Sequence, residues 1–312
     1  MELSGRTMGT TWRVTYAADA APGAAPEPGD VQTEVGALLE RFERLFSTYR
    51  PDSELSRFNR MRDTEWFPVS PELALAAGEA RRVSLLTGGA FDATVLPLVE
   101  RWGFGAQGRS PDLPDAAEVA ALRRRVDWRR LEVRESPPAL RKARGDLAVD
   151  FNSLAKGQAA DAVSALLAGL GAPRHLVQVG GDVRSAGAGW SVAVERPLEG
   201  RTEIEAVVAL SGDALSTSGD YRNAYRVGSR RYGHIIDPRT GVPVQHALAA
   251  VSVIRASCAR SSALATALFV LGPDDGWRLA QREEIAALFL VRRGEGFERR
   301  ATPAFARRIR ER

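Results

Sequence analysis

Cysteine occurs once in this 312-residue chain, at Cys258, so no disulfide framework can be drawn and a cysteine metal site is not expected. Histidine is nearly as scarce. His175, His234 and His246 lie far apart, with no H-E-x-x-H or similar ligand spacing, which argues against a zinc enzyme. Lysine is rarer still: of 43 basic residues only Lys142 and Lys156 are lysines. A chain that uses arginine wherever any cation serves marks its lysines as candidates for a compact point charge. Lys142, in "LRKARGD", nevertheless reads as ordinary exposed surface.

Long apolar runs are missing too. No stretch of 18 apolar residues occurs, and "MELSGRTMGTTW" has no apolar core of a leader, so a cytoplasmic protein without a membrane anchor is expected. No G-x-G-x-x-G opens a helix, no G-K-[ST] occurs, and the G-x-S-x-G elbow of a serine hydrolase is absent. Net charge is only +4, with a pI near 9.6. The densest basic clusters, 123–130 and 307–312, read as solvated surface, and without a recognisable reading module no nucleic-acid partner is expected.

What is present is an ordinary globular composition, 44% hydrophobic and 26% charged, enough for one large domain or two intimate halves. "TTWRVTY" (10–16) alternates as a strand. Val35, Leu38, Leu39, Phe42, Leu45 and Phe46 recur at helical spacing within 31–47. A second helix over 71–89 is opened by Ser70-Pro71 and closed by paired glycines. A short helix starts at Ala116. Loops are expected at 17–30 and 106–118. "LAVDF" (147–151) reads as a strand feeding a helix over 158–171, and strand–turn–strand follows in "HLVQVGGDVRSAG". "WSVAVERP", "IEAVVALSG", "RYGHII", "LAAVSVIR" and "IAALFLVRR" read as further strands, with the helix "SSALATALFVLG" ending at Gly272-Pro273. Long helices interleaved with antiparallel-looking strands give the class α+β. No internal repeat is evident.

One stretch poses a question. "HIIDPRTGVP" (234–243) places a scarce imidazole directly before Asp-Pro, a strong turn starter. His234 either closes a hairpin as a satisfied polar residue or is held by the turn as an acid–base group. Four glycine-bearing turns could also offer amides to an anion: "VDFNSLAKG", "VGGDV", "TSGDY" and "GGAFDATV". The helix start after "VDF" favours phosphate, with Lys156 adding charge. The two Gly-Asp turns are each explained by tight turns alone. Asp92, flanked by apolar residues, needs a partner.

In order along the chain, "TMGTTW", "STYRPDSELSRFN", "TGGAFDATVLPLVERWGFG", "VDFNSLAKGQAADAV", "VQVGGDV", "STSGDYRN", "HIIDPRTGVPV" and "ALATALFVLGP" resemble the signatures of the FAD:protein FMN transferase (ApbE) family. The resemblance runs from about Thr7 to Pro273. It implies a single ApbE-like, T-fold-related α+β domain over 1–312, of two intertwined halves with FAD between them. It also implies Mg²⁺-dependent cleavage of the FAD pyrophosphate, transfer of FMN to a Thr or Ser hydroxyl of an acceptor protein, and release of AMP. By the same resemblance Met8, Tyr49, Ala90, Phe91, Asp92, Asp150, Lys156 and Ile236 contact FAD, and His234 takes the proton of the acceptor hydroxyl. An imidazole titrating near 6.5 suits that task.

The match departs at the metal. The family pairs an Asp with a Thr four residues later on one helix face, together with backbone carbonyls. Here the Thr is Thr266, Ser262 stands where the Asp is expected, and Ser153 and Ala265 occupy the carbonyl positions. Asn152-Ser153 also replaces a Gly pair. Three readings follow: a weaker Mg²⁺ site held by pyrophosphate, Thr266 and carbonyls; Arg260 reaching the phosphates in place of the metal's charge; or an FAD-binding protein that has lost transfer, with Ser262 merely capping its helix.

Overall fold

Alternating strands in the sequence need a common sheet, and the computed structural model, which describes residues 1–17, 26–109 and 112–310, supplies one. Its strands are β1 (Glu2–Thr7), β2 (Thr10–Tyr16), β3 (His175–Val179), β4 (Asp182–Ala186), β5 (Ala214–Gly219), β6 (Leu248–Arg255), β7 (Ala286–Arg293) and β8 (Gly296–Ala301). They lie side by side in chain order, each antiparallel to the next. β6 shows why the sheet is central. Val251 and Val253 face one hydrophobic cluster while Ala250 and Ile254 face another, as a strand buried on both faces requires.

The helices of more than one turn are α1 (Pro28–Phe46), α2 (Glu54–Arg60), α3 (Pro71–Leu86), α4 (Leu96–Arg101), α5 (Ala116–Arg123), α6 (Asn152–Gly169) and α7 (Cys258–Arg282). The stretch 17–30 gives way to α1 at Pro28, and 106–118 to α5 at Ala116; residues 18–25 and 110–111 lie outside the described ones. α1 buries Val31, Val35, Leu39, Phe42 and Phe46, one stripe at helical spacing. Ser53 and Ser70 cap α2 and α3 with their hydroxyls. α7 breaks at Gly272, whose φ of 83° admits no ordinary side chain cheaply, and helix resumes beyond Pro273. α6 and α7 pack on each other beneath the sheet. No helix among the described residues is long and apolar enough to cross a membrane.

A repeat absent from the sequence is present in the topology. β1, β2, α6, β3 and β4 make one half: strand pair, helix, strand pair. β5, β6, α7, β7 and β8 make the other. The halves join where β4 pairs β5 through Arg184 with Ala214 and Val183 with Leu215.

Two expectations are corrected here. Residues 147–151 form no strand: the Asp150 N–H donates to the Ala93 carbonyl, and Val149 is paired by a side chain. The Asn59 amide donates to the Val149 carbonyl and its oxygen accepts from the Val149 N–H, each at 2.8 Å, copying one step of a ladder. Lys142, read as exposed, is wholly buried. Its Nζ donates to the carbonyls of Asn59 (3.0 Å) and Met61 (2.8 Å) at the end of α2, and lies over the Phe58 ring. It satisfies helix-terminal carbonyls that burial hides from water.

Burial also draws the Lys142 pKa down from 10.5 to about 8. A folded-state value below the unfolded one means that the stability this group contributes is present in full above 10.5 and is lost as pH falls through about 8. The two hydrogen bonds to helix-terminal carbonyls persist at pH 7, so Lys142→Met is expected to destabilise the protein by about 2 kcal/mol there in urea unfolding, with the pH-linked part adding to it above about pH 8. The deficit should widen between pH 7 and pH 9.5. A deficit that narrows over that range would contradict the buried-ammonium assignment.

Candidate active site

The junction of the two halves is hollow. A cleft of about 1130 Å³ is walled by the β1–β2 turn, the end of α1, the start of α6, the β3–β4 turn, the end of β5 and one face of α7. His234, Met8, Tyr49, Ala90, Phe91, Asp92, Asp150, Ser153, Lys156, Ile236, Ser262 and Thr266 all line it; Ala265 is buried within α7 and does not.

The three histidines separate cleanly. His175 bonds Ser164 and the Ala172 carbonyl, and His246 bonds the Phe269 carbonyl, each at 2.7 Å. Both serve the scaffold. His234 lines the cleft between two short hairpins. One pairs Ala224–Val227 with Arg230–Gly233; the other pairs Ile236–Asp237 with Val242–Pro243.

The second hairpin is rigid for visible reasons. The Asp237 carboxylate accepts from the Arg239 backbone and grips its guanidinium, while the Asp237 carbonyl accepts from Gly241 at 2.7 Å. The Gly241 carbonyl receives the Trp102 indole N–H, and a Cβ at Gly241 would sit 2.8 Å from Arg123 and Val119 side-chain atoms. The first hairpin stacks Tyr232 on Trp102 and Tyr225 on Phe104. Asp220 anchors it through Arg231 and Arg292.

His234 Nδ1 lies 3.1 Å from the Asn223 carbonyl. A carbonyl only accepts, so Nδ1 carries a proton and the neutral ring keeps its lone pair on Nε2. Burial lowers the His234 pKa below 6.5, against the opposing effect of that hydrogen bond, and Lys156 lowers it further.

Just before α6, the Asp150 carboxylate accepts from the Asn152 N–H at 2.7 Å, and burial raises its pKa. Lys156 Nζ reaches back to the Asn152 carbonyl at 3.1 Å. Asp92 is buried and has the partners its surroundings demand: Oδ1 accepts from the Thr94 N–H and hydroxyl, Oδ2 from the Trp128 N–H. Desolvation pushes its pKa up to about 6. Both carboxylate oxygens are therefore committed to Thr94 and Trp128, which fixes Asp92 next to Phe91. Met8 occupies a left-handed conformation (φ 47°) in the two-residue β1–β2 turn, its N–H 2.6 Å from Glu43 Oε1. A strained non-glycine residue held by a carboxylate at a cleft mouth fits a functional position. Tyr49 is exposed.

The metal-site readings fare unevenly. α7 is capped by Ser257, whose hydroxyl accepts from Arg260, so Ser262 is not a cap. Arg260 is exposed and pairs with Glu79 on α3 rather than lining the cleft, so it does not supply the charge at position 262. Ser262 instead donates to Asp182 Oδ2 at 3.4 Å, and Thr266 lies 3.0 Å from the Ser218 hydroxyl. Asp182 comes from the "VGGDV" turn, read in the sequence as a tight turn only. Desolvation raises its pKa, with Lys156, Ser216 and Ser262 opposing. Glu43, Asn223 and Asp182 were not singled out because each acts through a contact distant in sequence.

The ApbE family model matches residues 8–289. The chain belongs to that family. It is similar to the solved flavin transferase ApbE of Vibrio cholerae, with TM-score 0.89 and 37% identity over 99% of this chain and 98% of that one. A similar match joins it to the apo flavinyl transferase ApbE of Pseudomonas stutzeri, with TM-score 0.89 and 38% identity over 98% and 96% of the two chains. The FAD:protein FMN transferase of Escherichia coli K12 is 35% identical, covering 97% of this chain and 87% of that relative. The shared ApbE architecture is the mixed α+β domain described above.

Proposed function

We propose that this protein is an FAD:protein FMN transferase that moves the FMN half of FAD onto a Thr or Ser hydroxyl of an acceptor protein. The observation that carries the reading is His234: the one histidine in the cleft, neutral near pH 7, with Nε2 left as acceptor. Nε2 takes the proton of the acceptor hydroxyl. The hydroxyl oxygen then attacks the phosphorus on the FMN side of the pyrophosphate, forming one P–O bond as the bridging P–O bond breaks, and AMP leaves with that electron pair. Lys156 offsets pyrophosphate charge at the start of α6, where free helix amides also favour an anion. Asp92, fixed by Thr94 and Trp128, adjoins Ala90 and Phe91 on the cleft wall, and Met8, Tyr49 and Ile236 form apolar walls for the flavin.

No group of three or more His, Cys, Asp or Glu side chains among the described residues forms a metal site alone. Hard oxygens are nevertheless present together: the Ser262 and Thr266 hydroxyls one helical turn apart, Ser153 at the start of α6, and the Asp182 carboxylate against Ser262. Such a donor set fits Mg²⁺ that also binds phosphate oxygens. When bound, the ion would neutralise charge developing on the pyrophosphate.

Because the named residues span the cleft from Met8 to Asp150, FAD is expected to bind at least about tenfold tighter than FMN, a difference of about 1.4 kcal/mol. Calorimetric titration with each flavin checks this, and equal or tighter binding of FMN would refute it. A protein that holds FAD but has lost transfer, the reading suggested by Ser262 in place of Asp, would pass that test yet release no AMP from FAD with Mg²⁺ and a Thr-bearing acceptor.

A further inference from the structure

We propose that Asp182, in the turn between β3 and β4, is the carboxylate that holds the divalent cation in this protein, supplying from the sheet the charge that α7 lacks at Ser262. The assignment rests on the flavin-transfer reading. Its geometry is direct. Ser262 and Thr266 stand four residues apart on one face of α7, and both line the cleft. Asp182 Oδ2 lies 3.4 Å from Ser262 Oγ, so the carboxylate is on that same face of the helix. Asp182 is only 4% exposed, yet it lines the cleft rather than the core.

Chemistry favours the same placement. A hard divalent ion bridging a pyrophosphate prefers at least one anionic protein oxygen, and a neutral serine hydroxyl replaces it poorly. A buried carboxylate is itself costly unless a cation or donors compensate it. The protein donors here are hydroxyls and the nearby Lys156, which also faces Asp150. A cation beside Asp182 would meet the needs of both the carboxylate and the phosphates. The turn can offer the group because Gly180 adopts φ 58° and packs against Thr10 and the Lys156 stem, setting β3 and β4 into register with Val179 opposite Asp182.

The test uses Mn²⁺, whose free form is counted by electron paramagnetic resonance, titrated into full-length protein saturated with FAD. FAD affinity is measured separately in EDTA by flavin fluorescence. The parent should bind Mn²⁺ in an FAD-dependent manner, and Asp182→Asn should weaken that binding at least about tenfold while circular dichroism stays parental. Adding Ser262→Asp to Asp182→Asn should restore it, since a carboxylate returns one residue away across the same contact. Parental Mn²⁺ affinity in Asp182→Asn would overturn the assignment. So would a parent that binds no Mn²⁺ while Ser262→Asp alone creates a site, because Asp182 would then supply nothing. Failure of the parent to bind FAD even in EDTA would overturn the flavin reading, and the assignment with it, and the fluorescence arm distinguishes that result from a metal-specific failure.

Discussion

His234→Asn is expected to leave FAD affinity near the parental value and to lower flavin transfer by about 10²–10⁴-fold, the usual contribution of a general base. The expectation comes from the tautomer. The Asn223 carbonyl accepts from Nδ1, so the working nitrogen is Nε2. Asparagine can keep a donor toward Asn223 but offers no basic nitrogen to a hydroxyl. The pH profile supplies a second readout. Burial depresses the His234 pKa below 6.5, so the neutral base already predominates at pH 7. Activity should therefore stay level from pH 8 down to neutrality and fall only as the medium drops through a value below 6.5. An acid limb above 6.5, or a His234→Asn variant transferring FMN at the parental rate, would return His234 to a purely structural part in its hairpin. FAD binding measured alongside keeps a folding defect from mimicking the result.

Local pattern carried much of this fold. The apolar stripe of α1 was readable because helix period and burial coincide, from Val35 to Phe46. The apolar run of β6, interrupted only by the buried Ser252 before Arg255, was readable because the strand is covered on both faces. The failures are non-local. Val149 pairs with the side chain of Asn59, ninety positions away, and nothing in "LAVDF" distinguishes that from a strand ladder. Lys142 sits among arginines and acids that read as surface, yet it is buried by the end of α2. These two misreadings belong to one chain of support, for Lys142 fixes the Asn59 carbonyl, Asn59 fixes Val149, and Val149 precedes Asp150 at the cleft. The doubled topology was invisible because it repeats the order of elements without repeating residues. At the site, ordered motifs drew His234, Lys156, Asp150 and Thr266 to one cleft. The Asp182–Ser262 contact is not legible in the sequence, since the glycine turn and the helix meet only in the folded chain.

Gly157→Ala should be strongly damaging for a single added methyl group. In an exposed helix interior, replacing Gly by Ala usually stabilises by about 0.5–1 kcal/mol, because alanine loses less backbone entropy on folding. Gly157 reverses the sign. It is buried in α6 at the crossing with α7, where a Cβ would lie 2.6 Å from the Cys258 carbonyl oxygen, 2.7 Å from its carbon and 2.8 Å from the Ala259 nitrogen. Those are backbone atoms, and they cannot swing aside. The Cys258 and Ala259 N–H groups are tied to the Asp161 carboxylate, which Arg184 also holds, so the start of α7 is clamped to α6. Separating the helices to admit the methyl group should cost about 3 kcal/mol or more in urea unfolding, at the high end of overpacking. The site should suffer as well, since Lys156 immediately precedes Gly157 and Ser262 lies one turn along α7. FAD affinity should therefore fall even in the fraction that folds. Gly36→Ala in α1 is the control, for a Cβ there meets nothing within 4 Å and should stabilise by up to about 1 kcal/mol. If both alanines stabilise, the α6–α7 contact is looser than the distances require, and Gly157 is not what sets the spacing between Lys156 and the Ser262–Thr266 face.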